Sequence, residues 1–273
     1  MMKDGKFLEI NGTKIHYEEY GNGPLSIVFV HAGIADSRMW DAQIEDLSRD
    51  QRVLTYDMRG YGLSPLVVGE FSHHADLITL MEKLKVERCV LVGCSKGGGI
   101  VLDTALADPD RVAGVVVVAG IAHGLQLDVE IEEPPQWEEL VQAFKDRDLE
   151  RTNELEIQIF VDGFKQPAGR ADETIREKVR LMNAIALQNE ANAPETTQTV
   201  LEPKAATRLA DLHVPVLFIT GALDEPVTLL AAELMMAEIS HAEHRDIANV
   251  AHLPNMEAPE EFNRTLLKFI EQL

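Results

Sequence analysis

Ser95 stands in Gly93-Cys94-Ser95-Lys96-Gly97, a G-x-S-x-G stretch that follows the apolar run Val90-Leu91-Val92 and leads into Gly98-Gly99 and a helical pattern. A serine hydroxyl is a weak nucleophile until a base takes its proton. A sharp strand-to-helix turn lifts such an Oγ clear of the chain, and small residues at positions 93 and 97 suit a backbone that doubles back on itself. The N-terminus of the following helix favours negative charge developing on a bound carbonyl. Cys94 is a second nucleophile by type. Adjacent side chains of a strand point to opposite faces, so Cys94 reads as a small packing residue.

Of nine histidines, His252 is the candidate base. It lies in Val250-Ala251-His252-Leu253-Pro254, after the last strand candidate and before the C-terminal helix. His16 falls in a hairpin, His31 follows the first core strand, and His73 and His74 precede a helix. His123 opens a helical region, and His213, His241 and His244 lie near the last two strands. These eight read as structural or surface residues. Asp224, in Gly221-Ala222-Leu223-Asp224-Glu225-Pro226, is placed to fix the imidazole tautomer and stabilise its charged form. Glu225 stays open as the acid, and capping the next helix is the other use for Asp224. Charge on a carbonyl oxygen needs preorganised donors. The N–H groups of Lys96 and of Gly33, in His31-Ala32-Gly33-Ile34, are the candidates.

The elements that must position these groups show in the hydrophobic pattern. Two alternating runs flank Asn11-Gly12, a hairpin signal. Ser26–Val30, Arg52–Tyr56, Cys89–Val92, Val115–Ala119 and Val214–Thr220 are short apolar runs, as in parallel strands covered on both faces. His74–Leu84 carries Leu77, Leu80, Met81 and Leu84 on one helical stripe, and Ile100–Ala107 continues a helix up to Asp108-Pro109. Alternation of strand and helix implies right-handed crossovers and a mostly parallel, doubly wound α/β sheet. From about residue 121 to 204 strand signal fades. Trp137–Phe144, Thr152–Val161 and Thr174–Gln188 read as amphipathic helices. The expected organisation is a core of residues 1–120 and 205–273, with a helical cap at 121–204 inserted after strand 6.

The chain has 273 residues, 25 Lys and Arg against 46 Asp and Glu, and a net charge of −21. That balance speaks against nucleic acid and anionic membrane surfaces as partners. No apolar run approaches the roughly 20 residues that span a bilayer, and the first residues show no signal-peptide core. Cys89 and Cys94, on one strand at ~3.3 Å per residue, sit too far apart for a disulfide, whose Cα atoms lie within about 7 Å. A cytoplasmic protein with reduced thiols is expected.

HAGIADSRMW, YDMRGYGLS, GCSKGG, GALDEP and AHLPNMEAPEEFN, in this order, resemble the α/β-hydrolase superfamily over nearly the whole chain. The likeness is greatest to capped bacterial esterases, enol-lactone hydrolases, carbon–carbon bond hydrolases and cofactor-free haloperoxidases. The resemblance implies a Ser95–His252–Asp224 triad acting on a small ester or lactone, with no metal and no cofactor, as a monomer or homodimer. It implies that Asp57–Gly62 is a structural turn and that substrate lies between core and cap. Ile34, Trp137, Phe144, Phe160, Phe164, Met182 and Leu187 are the candidate pocket walls. Two features depart from relatives: Ala32 stands where glycine is common, and Lys96 where Met, Gln or His is. Lys96 has three readings: it biases His252 toward neutrality, pairs with an acidic cap residue, or reaches solvent. Cleavage of an enol-lactone or a vinylogous diketone, and a non-catalytic ligand receptor, are the alternative functions.

Overall fold

A computed structural model describes residues 6–193 and 195–273. Strands β1 (Lys6–Ile10) and β2 (Thr13–Tyr20) form the hairpin, with Asn11 and Gly12 at φ 44° and 82°. The others are β3 (Ser26–Val30), β4 (Arg52–Tyr56), β5 (Gly69–Phe71), β6 (Cys89–Cys94), β7 (Val112–Val118), β8 (Thr196–Gln198), β9 (Val216–Gly221) and β10 (Ala242–Ile247). Eight strands make one sheet in the order β1-β2-β4-β3-β6-β7-β9-β10, antiparallel only at β1–β2 and β2–β4.

Both faces of the sheet are buried, which is why its central strands are apolar without interruption. The strand period of two sends Leu91, Val115 and Val117 into one cluster and Val90, Val92, Val116 and Val118 into the other. The first cluster packs under α2 (His73–Lys83), α3 (Lys96–Ala107) and α7 (Pro226–Glu238), the second under α1 (Asp41–Leu47) and α9 (Pro259–Ile270). Between β7 and β9 the chain runs through α4 (Trp137–Lys145), α5 (Leu149–Glu156), a π-helical turn at Ile157–Asp162 and α6 (Glu173–Ala191). The short α8 (Pro254–Glu257) precedes α9.

Three details differ from the sequence pattern. β5 and β8 form a parallel pair, Gly69↔Thr196 to Phe71↔Gln198. Three-residue strands reading GEF and TTQ carry no period. β6 extends to Cys94 because its backbone still pairs with β7 at Gly93↔Val117 and Cys94↔Val118. α3 starts at Lys96 and runs through three glycines of low helix propensity. Packing explains them: a Cβ on Gly97 would strike the Val30 carbonyl, and one on Gly98 would sit 2.7 Å from Gly120 Cα. Cys89 and Cys94 are free and buried. Among the described residues no helix is long and apolar enough to cross a membrane.

A Cβ on Gly93 would overlap the Gly97 carbonyl. Gly93→Ala is therefore expected to cost about 3 kcal/mol, read as a lower urea midpoint at unchanged slope. A midpoint equal to that of the parent would contradict this account of the turn.

Candidate active site

Ser95 joins β6 to α3 at φ 53° and ψ −115°, a backbone state that costs a non-glycine residue of order 1–3 kcal/mol. Sheet and helix hold it there. Ser95 N–H donates to Val118 O at 2.8 Å, and Gly98 N–H donates to Ser95 O at 2.8 Å. Cys94 lies in the core, and burial drives its thiol pKa well up. That leaves it a packing group, not a thiolate.

His252 and Asp224 come from separate loops, after β10 and β9, and both are buried. His252 Nδ1 lies 2.9 Å from both Asp224 oxygens. An ionised carboxylate only accepts, so Nδ1 carries the hydrogen and Nε2 keeps its lone pair. Burial alone would push the imidazole pKa down. The Asp224 charge and hydrogen bond, with Glu225 behind them, overcome that and carry it above the ordinary value. Glu225 makes no hydrogen bond to the ring; its own N–H donates to Asp224 Oδ1 at 2.8 Å. Its carboxyl pKa is raised by burial and then by Asp224. The His252 carbonyl lies 3.7 Å from Cys94 Sγ, so the loop passes against the residue next to Ser95. Among the described residues Ser95 Oγ has no hydrogen-bond partner; such contacts are often loose before substrate binds.

The His252 loop is tied to the π-helical turn. His252 N–H donates to Phe160 O at 3.1 Å, and the two rings lie 5.0 Å apart. The widened turn leaves the Phe160 carbonyl free to face that loop. Phe164 N–H donates to Leu223 O at 2.8 Å, one residue before Asp224. Arg170 closes the joint. It donates to Val161 O (2.6 Å), Asp162 O (2.7 Å) and Asn249 O (2.9 Å), and pairs with Glu257 at 2.6 Å. The other Glu257 oxygen accepts from Ala251 N–H at 2.7 Å.

Gly33 and Lys96 face each other. A Cβ on Gly33 would lie 3.8 Å from Lys96 Cβ and 3.9 Å from Tyr61 Oη. As the first helical residue, Lys96 has an N–H with no intrahelical acceptor. Both residues line a cleft of about 350 Å³ between the sheet's loops and the helical segment. Of the candidate walls, Leu187 lines it. Phe160 packs on the His252 ring instead. Ile34 and Met182 are buried in the core, Trp137 packs on the small cluster around Leu140 and Leu155, and Phe144 is 47% exposed. Phe164 stacks under Lys165. Helical periodicity marks a residue as inward-facing without saying which interior it faces. A groove of about 610 Å³ between α1 and α9 contains none of these residues.

The cleft is more polar than expected. Arg59, Tyr61, His73, Glu156, Asn183 and Glu190 line it; from the sequence His73 reads as structural or surface and Arg59 and Tyr61 as parts of the Asp57–Gly62 turn, and the other three carry no signal. Lys96 Nζ donates to Tyr61 Oη at 2.8 Å, not to an acidic residue of the helical segment. His31, His16 and His123 are absorbed locally. His31 Nε2 accepts from Met58 N–H, His16 bonds Asp57, and His123 bonds Asp103 at 2.8 Å. Asp57 also accepts from Ser37 and Leu63 N–H, which makes it the keystone of its turn.

A family model described as alpha/beta hydrolase fold matches residues 26–259. Among curated relatives, 3-oxoadipate enol-lactonase 1 of Acinetobacter baylyi is 24% identical, covering 99% of this chain and 96% of its own length. A pimeloyl-[acyl-carrier protein] methyl ester esterase of Vibrio parahaemolyticus is 25% identical over 92% and 95%. Among solved structures, the enol-lactonase from Burkholderia xenovorans superposes with a TM-score of 0.77 at 23% identity, covering 97% of this chain and 100% of that one.

Arg170→Met removes the donor from three carbonyls and strands a buried Glu257. The expected loss is about 3 kcal/mol, with faster hydrogen exchange concentrated at residues 249–252. Melting and exchange like those of the parent would show that the joint carries no load.

Proposed function

The chain belongs to the alpha/beta hydrolase fold family, and we propose that it cleaves a small carboxylic ester or lactone through an acyl-enzyme on Ser95. One observation carries this reading: the Asp224–His252 pair, with Nδ1 held by the carboxylate, lies against the turn that presents Ser95. The names of the relatives, an enol-lactonase and a methyl ester esterase, support an acyl oxygen bond as the target.

His252 Nε2 takes the Ser95 proton as Oγ bonds to the substrate carbonyl carbon. The carbonyl electrons move onto oxygen, which the N–H groups of Gly33 and Lys96 stabilise. Collapse breaks the bond to the leaving oxygen, which receives the proton from His252. Water then gives a proton to Nε2 and attacks the acyl carbon. The bond to Oγ breaks, and Ser95 recovers its proton. An ester yields acid and alcohol; a lactone yields one hydroxy acid. Ion pairing with Asp224 stabilises the imidazolium of each step without moving a proton to the carboxylate.

His252 must be neutral to act. Its pKa is raised, so kcat/KM should fall as pH drops, along a limb centred above the ordinary histidine value of about 6.5. Asp224→Asn should cost about four orders of magnitude in kcat and move that limb down, because the two largest effects opposing burial, the Asp224 charge and its hydrogen bond, are lost. Glu225→Gln should cost less than about tenfold. Equal losses in both would reassign the acid. Ser95→Ala should fold normally and lose p-nitrophenyl ester turnover by about four orders of magnitude or more. It should also lose labelling by a fluorophosphonate. Retained turnover in that variant sinks the mechanism, and turnover of diketones alone would favour carbon–carbon cleavage.

A further inference from the structure

Lys96 follows Ser95 directly in the chain and lines the cleft together with Gly33. In a chain with 46 acidic residues, Lys96 makes no ion pair with any described carboxylate. Among the described residues its one hydrogen-bond partner is Tyr61 Oη, at 2.8 Å. An ammonium only donates, so Tyr61 accepts there and its own O–H remains to donate elsewhere. Two N–H groups of Lys96 remain as well.

His73 completes the wall. It is 4% exposed, lines the same cleft, and hydrogen-bonds no described residue. Its ring packs edge-on to Phe71, with centroids 5.1 Å apart. Burial pushes its pKa well down, and then Lys96, His31, Arg59 and His123 push it further. A neutral imidazole has one N–H to give. Arg59 lines the cleft as well, with three of its five N–H groups given to both Asp76 oxygens and Asn11 O.

The opposite wall has the other sign. Glu156 accepts from Asn183 Nδ2 at 2.6 Å, and its pKa is raised by burial and by Glu190. Lys96 and Arg59 thus bring cations to this cleft, and Glu156 and Glu190 bring carboxyl groups. Unmade donors around an unpaired cation call for an acceptor that carries charge.

We propose that Lys96 Nζ, Tyr61 Oη and the His73 ring form a subsite for a carboxylate carried on the acyl part of the substrate, so that the preferred substrates are half-esters of short dicarboxylic acids or lactones bearing a free acid. The proposal rests on the ester or lactone hydrolase reading and names its substrate class.

Kinetics with mono-p-nitrophenyl glutarate and the uncharged p-nitrophenyl pentanoate test it. The parent should favour the anionic ester in kcat/KM by about tenfold or more, and the preference should shrink as salt is raised. In Lys96→Met the ratio of the two should fall to one or below, and Lys96→Arg should keep part of it. A parent that hydrolyses the pentanoate ester but shows no preference for the glutarate overturns the subsite and leaves the hydrolase reading intact. So does a preference that survives Lys96→Met. Failure on both esters, with no fluorophosphonate labelling at Ser95, overturns the underlying reading as well. Glutarate added to Ser95→Ala protein gives a measurement free of turnover. Saturable shifts of the His73 ring resonances are expected, and their absence at millimolar glutarate counts against the site.

Discussion

The structure depends on one residue held in a conformation it would not choose. Ser95 sits at φ 53° between a strand and a helix, and the neighbourhood exists to keep it there. Neither flanking glycine tolerates a Cβ, which at Gly93 would strike the Gly97 carbonyl and at Gly97 the Val30 carbonyl. The carbonyl of Val118 and the N–H of Gly98 fix the two ends of the peptide. Local strain of this kind persists only where surrounding packing over-determines it. Here that packing is the covered parallel sheet, whose strands β3, β6 and β7 are fully buried.

The helical segment between β7 and β9 belongs to that support in part. Residues from Phe160 to Arg170 bond the loops that carry Asp224 and His252. Behind them, Asp162 is fully buried and accepts from Gly169 and Ala171 N–H and from Arg176, which also reaches Glu154. Such a network is stiff when satisfied and costly to break. The helices α4 and α5 share a separate small cluster of Leu140, Ala143, Leu155 and Ile159. The segment thus contains a part fastened to the loops of Asp224 and His252 and a part that packs mainly on itself.

Charge is distributed with similar economy. The chain is strongly acidic, yet its buried carboxylates are mostly matched. Asp57 has His16 and two N–H groups, Asp76 has Arg59, and Asp224 has His252. Asp57 stays ionised, its pKa held at about 2 by those partners despite its burial. Lys96 is the contrast: among the described residues its ammonium hydrogen-bonds the Tyr61 phenol and no carboxylate, beside the candidate nucleophile.

The short-range part of this arrangement was legible in the sequence. Asn11-Gly12 determined the hairpin because both residues accept positive φ, and unbroken β-branched runs determined a sheet buried on both sides. The Ser95 turn was marked by the glycines its geometry requires, and the order of Ser95, Asp224 and His252 along the chain marked the loops. Tertiary structure decided the rest. It gave the imidazole to Asp224 over its neighbour Glu225, a choice of direction that adjacent residues in a sequence cannot express. It formed the β5–β8 pair from segments with no period of their own. It turned Phe160 toward His252 and left Trp137, Phe144 and Met182 elsewhere, since amphipathicity records that a side chain is covered and not by what. And it brought Tyr61, His73 and Lys96 together from three separate segments, an encounter written only in the packing of the whole chain.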